Sequence, residues 1–336
     1  MTTNDLLGVR VLSVRYEAED INSYELVDPD GGELPPFTAG AHIDLHLRDG
    51  RIRQYSLCND PAERHRYVVG VLKDPVSRGG SVAIFEKVHA GRLITISPPR
   101  NHFPLAASAR RHLLLAGGIG VTPMMAMLAQ LERDGADYLL HYCSRAPEKT
   151  AFRDLLARHF AAGRVRYHHD GGDPRNGLDI ATLLRERADG THLYYCGPSG
   201  FMAAVETACA HWPRDAVHFE YFTPPATIAP IAGVSSATSP APGVGTSDAP
   251  AGFQVRIRSS GALYDVPGDK SIVEVLREHG MEVDTSCESG LCGTCRTRYV
   301  EGDPEHHDYV LDDEERGEFL MICCARSRSP LLVLDL

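Results

Sequence analysis

The sequence has few aromatic residues, no long apolar run and no excess of basic charge. Aromatic residues make up 7% of the 336 residues, and there is one tryptophan. No apolar run approaches the roughly 20 residues that a membrane-spanning helix needs. The N-terminus has no basic segment followed by a long apolar one. With 34 basic and 45 acidic residues, the net charge of −11 disfavours nucleic-acid binding. We therefore expect a cytoplasmic protein that binds neither membrane nor nucleic acid.

The nine cysteines are an odd number, and five of them lie in the last fifty residues. This distribution argues against a secreted disulfide framework and favours a local metal or cluster site. Acidic charge is concentrated in the same part of the chain, since 17 acidic and nine basic residues lie between Phe253 and Leu336. Such a segment suits docking to a basic protein surface, or it is simply a solvated acidic face.

Residue patterns divide the chain into four parts. Residues 1–104 contain alternating segments such as HIDLHL, which predict an antiparallel β unit. In residues 105–224, short apolar strands alternate with helical segments, which predicts a parallel sheet with helices on both faces. Residues 225–252 are rich in Pro, Ala and Ser and are predicted to be a linker. Residues 253–336 predict a small α+β domain, in which LDDEERGE indicates a helix capped by Asp312.

The stretch CESGLCGTC in the last domain has metal-ligand spacing. Cys287-x4-Cys292-x2-Cys295 is the start of the plant-type [2Fe–2S] pattern, which needs one further cysteine downstream. The candidates are the adjacent Cys323 and Cys324. Glycine and small residues between the ligands allow backbone N–H groups to turn toward sulfur. A structural zinc site is the alternative, because C-x2-C is typical of zinc, but the x4 spacer favours the diiron cluster.

This segment, through LMICCARS, closely resembles the ferredoxin domain of the phthalate dioxygenase reductase family, which includes the vanillate O-demethylase reductase components. The resemblance implies a β-grasp ferredoxin domain, with the fourth ligand near the end of an apolar strand. In that register the implied metal ligands are Cys287, Cys292, Cys295 and Cys323, rather than Cys324. The resemblance covers nearly the whole chain, in the order flavin β-barrel, α/β nicotinamide domain and ferredoxin domain.

The segment RQYSLCND resembles the RxYS motif of the ferredoxin–NADP⁺ reductase superfamily. The resemblance implies that Arg53 contacts the flavin phosphate, that Tyr55 packs on the isoalloxazine and that Ser56 hydrogen-bonds near N5. A second segment, SRGGS, stands before a predicted helix, whose N–H groups would bind phosphate. Its candidate residues are Arg78, Gly79, Gly80 and Ser81. One terminal phosphate and no candidate adenylate site indicate FMN rather than FAD.

The segment LLLAGGIGVTPMMAML has glycines between a strand and a helix, where the backbone can approach a pyrophosphate closely. These glycines are Gly117, Gly118 and Gly120. Pro123 replaces the third glycine of the dinucleotide fingerprint, which departs from a dehydrogenase. The segment instead resembles the GGxGxTP pattern of the reductase superfamily. That pattern implies that Thr122 lies near the nicotinamide.

The segment YYCGPSGFM resembles the second half of the nicotinamide site. The resemblance implies that Cys196 lies near the hydride-donating carbon and that Gly197 and Pro198 shape the turn. Alternatively, Cys196 is only a small buried side chain at a strand end. A terminal aromatic residue shields the flavin in the superfamily, which implies Phe222, with Glu220 beside it.

The resemblance as a whole implies a reductase component of a multicomponent oxygenase. Hydride passes from NADH to FMN, and single electrons leave through the [2Fe–2S] cluster. Ser144 and Arg145 could bind the adenosine ribose or a 2′-phosphate, so the choice of NADH over NADPH rests on the resemblance. The implied catalytic residues are Ser56, Thr122, Cys196 and Phe222.

The resemblance also indicates the electron acceptor. It implies a terminal Rieske-type non-haem iron oxygenase of aromatic compounds, or an O-demethylase. We expect the protein to be a monomer. A cytochrome P450 partner is the alternative. A non-enzymatic iron–sulfur or zinc module that senses redox state is a different class, against which the flavin and nicotinamide motifs argue.

Overall fold

In a computed structural model, the chain forms two compact units, Met1–Phe222 and Thr223–Leu336. The structure describes residues 6–74, 79–222, 252–285 and 287–336. The predicted linker, residues 225–252, lies outside the described residues except for its last position, and so does Arg78. None of the described helices combines the length and the hydropathy that a membrane span requires.

The first unit begins with a curled antiparallel sheet in the strand order β4-β3-β6-β1-β2-β5. Its strands are β1 Leu7–Ala18, β2 Ile21–Val27, β3 His42–His46, β4 Ile52–Ser56, β5 Tyr67–Leu72 and β6 Leu93–Ile96, with helix α1 Gly80–Lys87 between β5 and β6. A bridge between Leu57 and Val69 joins the two edges of the sheet, as in the predicted barrel. Val9 and Val11 on β1 are buried whereas Arg10 between them is exposed, because alternate side chains of a strand face opposite sides.

A parallel sheet follows in the order β11-β10-β7-β8-β9. Its strands are β7 Arg111–Gly117, β8 Asp137–Ser144, β9 Val165–His169, β10 Thr191–Gly197 and β11 Val217–Tyr221, and its helices are α2 Val121–Arg133, α3 Arg153–Ala161, α4 Ile180–Leu184 and α5 Ser199–Ala208. Leu114 and Ala116 pack into one core with α2, whereas Leu115 packs into a second core with α5. Both faces of the sheet are therefore covered, as expected for parallel strands that read as continuous apolar runs.

The barrel and the parallel sheet share one apolar core within the first unit. A Cβ atom on Gly70 of β5 would lie 2.7 Å from Thr122 Cγ2 at the start of α2, and one on Gly40 would lie 3.2 Å from Met127 Cε. The predicted boundary at residues 104 and 105 falls between β6 and β7. Close packing across it fixes the flavin motif on β4 relative to the glycine loop after β7.

The second unit has a five-stranded mixed sheet in the order β13-β12-β18-β14-β16, and a separate β15-β17 pair. Its elements are β12 Phe253–Ile257, β13 Leu263–Val266, α6 Ile272–Glu278, β14 Arg296–Glu301, β15 Pro304–Glu305, β16 Phe319–Met321, β17 Arg326–Ser327 and β18 Leu331–Leu334. The predicted hairpin is the antiparallel β12-β13 pair. The helix expected after Asp312 is shorter than predicted. The Asp312 carboxylate caps the backbone N–H of Glu315, but only one 3₁₀ turn forms, ending at Gly317.

Candidate active site and cluster loop

The flavin-phosphate motifs meet at the N-terminus of α1. Gly79 adopts φ 75°, and a Cβ on Gly80 would lie 2.2 Å from Arg53 Nε. Arg53 therefore lies across the first turn of α1, where only glycine leaves room for it. The Ser81 hydroxyl accepts a hydrogen bond from the Asp74 backbone N–H at 3.1 Å. A guanidinium beside the N-terminus of a helix fits a phosphate monoester such as that of FMN.

Ser56, Cys196 and Glu220 come together where β4 meets β10 and β11. The Ser56 hydroxyl donates to Glu220 Oε2 at 3.3 Å, and Cys196 pairs with Glu220 across the two strands. Burial, followed by the charge of Glu220, raises the pKa of the Cys196 thiol well above its ordinary value. Cys196 is therefore a neutral thiol rather than a nucleophile. Tyr55, which precedes Ser56 on β4, is half-buried and packs in part against the barrel core, where burial raises the pKa of its hydroxyl.

The glycines of the nucleotide loop allow the ends of β7 and β10 to touch. A Cβ on Gly120 would lie 2.2 Å from the carbonyl oxygen of Cys196, and one on Gly117 would lie 2.9 Å from Pro198 Cδ. A Cβ on Gly197 would lie 3.0 Å from the Cα of Gly117. A side chain at any of these positions would clash with neighbouring atoms of the protein. The fold therefore requires these glycines whether or not a ligand binds.

The turn between β7 and α2 presents its backbone outward at Gly118. This residue has φ 54°, and a Cβ added there would meet no atom within 4 Å. Pro123 lies in the first turn of α2. N–H groups in this turn have no hydrogen-bond partner within the helix, so the missing N–H of proline costs nothing there. Thr122 is 2% exposed, and its hydroxyl donates to the carbonyl of Ile119 at 2.9 Å. Open backbone at a helix start fits a pyrophosphate.

The remaining predicted nucleotide residues differ in their surroundings. The Ser144 hydroxyl lies 2.7 Å from Thr150 Oγ1 and 3.0 Å from His169 Nδ1, so it is already hydrogen-bonded within the fold. Arg145 is exposed at the carboxyl end of β8. Phe222, the last described residue of the first unit, follows β11 and is 40% exposed. Arg145 and Phe222 are therefore accessible to a ligand.

The cluster loop brings its thiols together as two pairs. Hydrogen bonding from Cys287 lowers the pKa of Cys292, and hydrogen bonding from Cys295, then from Cys324, lowers the pKa of Cys323. Within the described ranges, no three His, Cys, Asp or Glu side chains converge as they would around a single ion. Two thiol pairs fit a [2Fe–2S] cluster, which divides four thiolates between two irons.

Cys324 lies beside the loop at Gly290. Gly290 has φ 73°, and a Cβ on it would lie 2.8 Å from Cys324 Sγ. The Cys324 thiol is 3.7 Å from the carbonyl of Met321. Cys323 interacts with both Cys295 and Cys324, so Cys324 reaches the thiol set through Cys323. This geometry favours the predicted register, with Cys323 as the fourth thiol of the set.

Comparison with known proteins identifies two domains in the chain. Residues 255–328 match the 2Fe-2S iron-sulfur cluster binding domain, and residues 114–207 match the oxidoreductase NAD-binding domain. Phthalate dioxygenase reductase of Burkholderia cepacia is 40% identical over the full length of both chains. The chain belongs to the phthalate dioxygenase reductase family.

Other members of the phthalate dioxygenase reductase family are more similar in sequence. The tert-butanol monooxygenase / tert-amyl alcohol desaturase reductase subunit of Aquincola tertiaricarbonis is 55% identical over 98% of this chain and 96% of that protein. The vanillate O-demethylase oxidoreductase of Pseudomonas putida is 46% identical over 98% of this chain and its own full length.

Solved structures agree with the family assignment. A phthalate dioxygenase reductase, described as modular for electron transfer from pyridine nucleotides to [2Fe-2S], matches with TM-score 0.71 and 40% identity over 99% of this chain and 98% of its own. An intact self-sufficient cytochrome P450 monooxygenase matches over 98% of this chain and 41% of its own, with TM-score 0.83 and 36% identity.

Family membership confirms the predicted fold class and the predicted activity. The protein is an oxidoreductase, a reductase component of an oxygenase system that uses NADH, FMN and a [2Fe–2S] cluster. It also excludes the zinc and redox-sensor alternatives that the cysteine loop alone left open.

Two residues near the predicted sites were not identified from the sequence. The residues predicted to bind phosphate at the start of α1, Arg53, Gly79, Gly80 and Ser81, form what we call the α1 cradle. A Cβ on Gly79 would lie 2.8 Å from Arg51 Nη1, so Arg51 borders this cradle. Strand alternation could have found it, because Arg51 precedes Arg53 by two. His42 pairs with Ser56 in the β3-β4 ladder, and its Nδ1 lies 3.7 Å from Glu220 Oε1. Nothing in HIDLHL distinguishes this histidine from an ordinary strand residue.

We expect Gly80→Ala to raise the Kd for FMN about tenfold, because the new methyl group displaces the Arg53 side chain from the α1 cradle. Fluorescence titration of flavin-free protein measures this. Gly200→Ala is the matched control, since Gly200 also lies in a first helical turn and its Cβ would meet open space. An FMN Kd unchanged by Gly80→Ala would show that Arg53 does not bind the phosphate.

Proposed function

We propose that the first unit binds FMN through β4 and α1. Arg53, the N–H groups of Gly79 and Gly80, and Ser81 hold the phosphate, with Arg78 completing the set. Support comes from the close approach of Arg53 to Gly80 at the helix N-terminus. FMN supplies the conversion of a two-electron donor into single electrons. Tyr55 packs against its ring.

Ser56 hydrogen-bonds the flavin near its reactive nitrogen, and Glu220 orients the Ser56 hydroxyl. The 3.3 Å hydrogen bond between the two side chains carries this assignment. Cys196, a neutral buried thiol beside Glu220, gives the nicotinamide a small, weakly polar neighbour. Phe222 shields the flavin face until the nicotinamide replaces it, consistent with its exposure at the end of β11.

The nicotinamide nucleotide binds over the glycine turn between β7 and α2. Backbone N–H groups at Gly118 and the start of α2 face its pyrophosphate, while Thr122 and Pro123 fix the first turn of the helix. The remaining contacts come from Gly117, Gly120, Gly197, Pro198 and Arg145. Arg145, which is exposed, serves the adenosine end, whereas Ser144 positions the strand end through its bonds to Thr150 and His169.

In the second unit, Cys287, Cys292, Cys295 and Cys323 hold the [2Fe–2S] cluster, supported by the two thiol pairs. We also propose that the chain is divided into a flavin domain at 1–104, a nucleotide domain at 105–224, a linker at 225–252 and a ferredoxin domain at 253–336. The protein acts as a monomer.

The terminal acceptor is a Rieske-type non-haem iron oxygenase. Reductases of tert-butanol monooxygenase, vanillate O-demethylase and phthalate dioxygenase are similar over their full lengths, which supports an aromatic or a branched-alcohol substrate for the partner. A cytochrome P450 partner is the second candidate, because a self-sufficient P450 contains a region similar to 98% of this chain.

Reconstitution tests the partner assignment. Purified reductase and NADH are combined with each of four oxygenase components: tert-butanol monooxygenase, vanillate O-demethylase, phthalate dioxygenase and a bacterial P450. We expect product formation with one of the first three, and at least about tenfold less with the P450. Product formed with the P450 alone would overturn the Rieske assignment, and ferricyanide reduction by NADH controls for an active flavin domain.

A further inference from the structure

Glu288, inside the cluster loop, has a backbone conformation that its side chain disfavours. Its φ is 53°, in the left-handed region. Gly290 and Gly293 in the same loop have φ of 73° and 71°, but they have no Cβ to crowd the following carbonyl. A left-handed non-glycine residue persists only where surrounding contacts hold it.

The left-handed turn at Glu288 aims backbone donors at the first cysteine of the loop. The N–H groups of Ser289 and Leu291 each lie 3.4 Å from Cys287 Sγ. The Ser289 hydroxyl also donates to the Cys287 carbonyl at 2.9 Å. Hydrogen bonds to ligand sulfur stabilise thiolate charge and set the reduction potential of an iron–sulfur cluster. The conformation at Glu288 therefore controls these donors.

Helix α6 holds the Glu288 side chain. Arg277 Nη1 donates to Glu288 Oε1 at 2.6 Å, and Thr285 Oγ1 donates to the same oxygen at 3.1 Å. Arg277 Nη2 also donates to Thr285 Oγ1. The helix is itself anchored by a capping box at Ser271 and by the buried side chain of Leu276. An exposed ion pair usually contributes little to the free energy of folding. This ion pair, however, holds a residue whose backbone conformation is strained.

We propose that Arg277 and Glu288 form a clamp that holds the left-handed turn after the first cluster ligand. The clamp keeps the N–H groups of Ser289 and Leu291 on the Cys287 sulfur, which slows cluster loss and raises the cluster potential. Both are positioning residues. The inference rests on the proposed assignment of Cys287 as a ligand.

Glycine substitution separates backbone strain from the ion pair. In the full-length holoprotein, Glu288→Ala loses the cluster to excess chelator about tenfold faster than the wild type, since alanine disfavours the left-handed turn and has no carboxylate. Glu288→Gly stays close to the wild type, because glycine adopts the turn without help. Arg277→Ala speeds cluster loss in the wild-type background but adds nothing to Glu288→Gly.

Bleaching of the visible absorbance gives the rate of cluster loss, and EPR-monitored titration gives the midpoint potential. The potential falls in Glu288→Ala and in Arg277→Ala, and the fall from Arg277→Ala disappears in the glycine background. Lys270→Ala is the matched control. It removes another ion pair of α6, to Glu278 at 2.7 Å, and leaves both readouts unchanged.

Equal rates for Glu288→Ala and Glu288→Gly, or an Arg277→Ala protein identical to the wild type, would overturn the clamp. If Glu288→Ala fails to fold, the effect of Arg277→Ala can still be compared between the wild-type and Glu288→Gly backgrounds. That comparison tests the clamp without the alanine variant. Cys287→Ser tests the ligand assignment separately: full iron and sulfide content in that variant would overturn the proposed ligand set whatever the clamp variants do.

Discussion

Replacing Cys323 with serine is expected to eliminate the [2Fe–2S] cluster, whereas Cys324→Ser is expected to retain it. Cys323 interacts directly with Cys295, whereas Cys324 packs against Gly290 and reaches the thiol set through Cys323. Loss of a thiolate ligand should exceed the roughly 10- to 100-fold loss of metal affinity caused by removing a ligand's hydrogen-bond partner. Iron and acid-labile sulfide per chain, with the EPR signal of the dithionite-reduced protein, measure the outcome.

The two serine variants also separate the redox steps. Cys323→Ser should reduce ferricyanide with NADH at the wild-type rate, because the flavin site lies in the first unit and keeps its residues. Its NADH-driven reduction of an oxygenase partner should disappear. A full cluster in Cys323→Ser together with an empty Cys324→Ser would reverse the ligand assignment, and full clusters in both would mean that either thiol can serve.

Features that depend on neighbours in the chain could be predicted from the sequence. The cysteine loop, the glycine turn after β7 and the alternation of strands and helices are local patterns, and the family resemblance indicated their order. The cap at Asp312 was local too, but the helix it indicated ends after one turn. A capping pattern therefore indicates where a helix begins more clearly than where it ends.

Contacts between distant elements could not be predicted in this way. Ser56 and Glu220 are 164 residues apart, and only packing of the barrel on the parallel sheet brings them within 3.3 Å. His42 enters the site because β3 pairs with β4, and Arg277 reaches Glu288 because α6 packs beside the loop. Each depends on a tertiary arrangement that no short motif encodes.

Gly120 shows that a glycine predicted from a ligand-binding motif can also be required by packing within the protein. The pattern assigned it to close approach of a pyrophosphate. In the structure, a Cβ at Gly120 would overlap the backbone of Cys196, so the residue also allows β7 and β10 to bring their turns together. The predicted nucleotide contact and the observed strand packing both require glycine at this position, and a glycine motif by itself does not separate them.

The other large effect is expected at Ser56. We expect Ser56→Ala to slow hydride transfer about 100-fold, which corresponds to about 2.7 kcal/mol of transition-state stabilisation. Ser56 is 3% exposed and its hydroxyl is held by Glu220, so its position is fixed before the nicotinamide arrives, and a methyl group cannot replace its hydrogen bond. Anaerobic stopped-flow measurement of flavin bleaching by NADH gives the rate, and its concentration dependence gives the Kd for NADH.

If Ser56 acts only in the chemical step, Ser56→Ala should lower the rate of flavin bleaching but change the Kd for NADH by less than about threefold. Such a result would mean that Ser56 stabilises the transition state and does not contribute to nucleotide binding. Ser81→Ala is the matched control, because this serine lies in the α1 cradle. It should weaken FMN retention and leave the rate of the flavin-loaded protein unchanged. Flavin bleaching at the wild-type rate in Ser56→Ala would remove Ser56, and with it Glu220, from the chemical step.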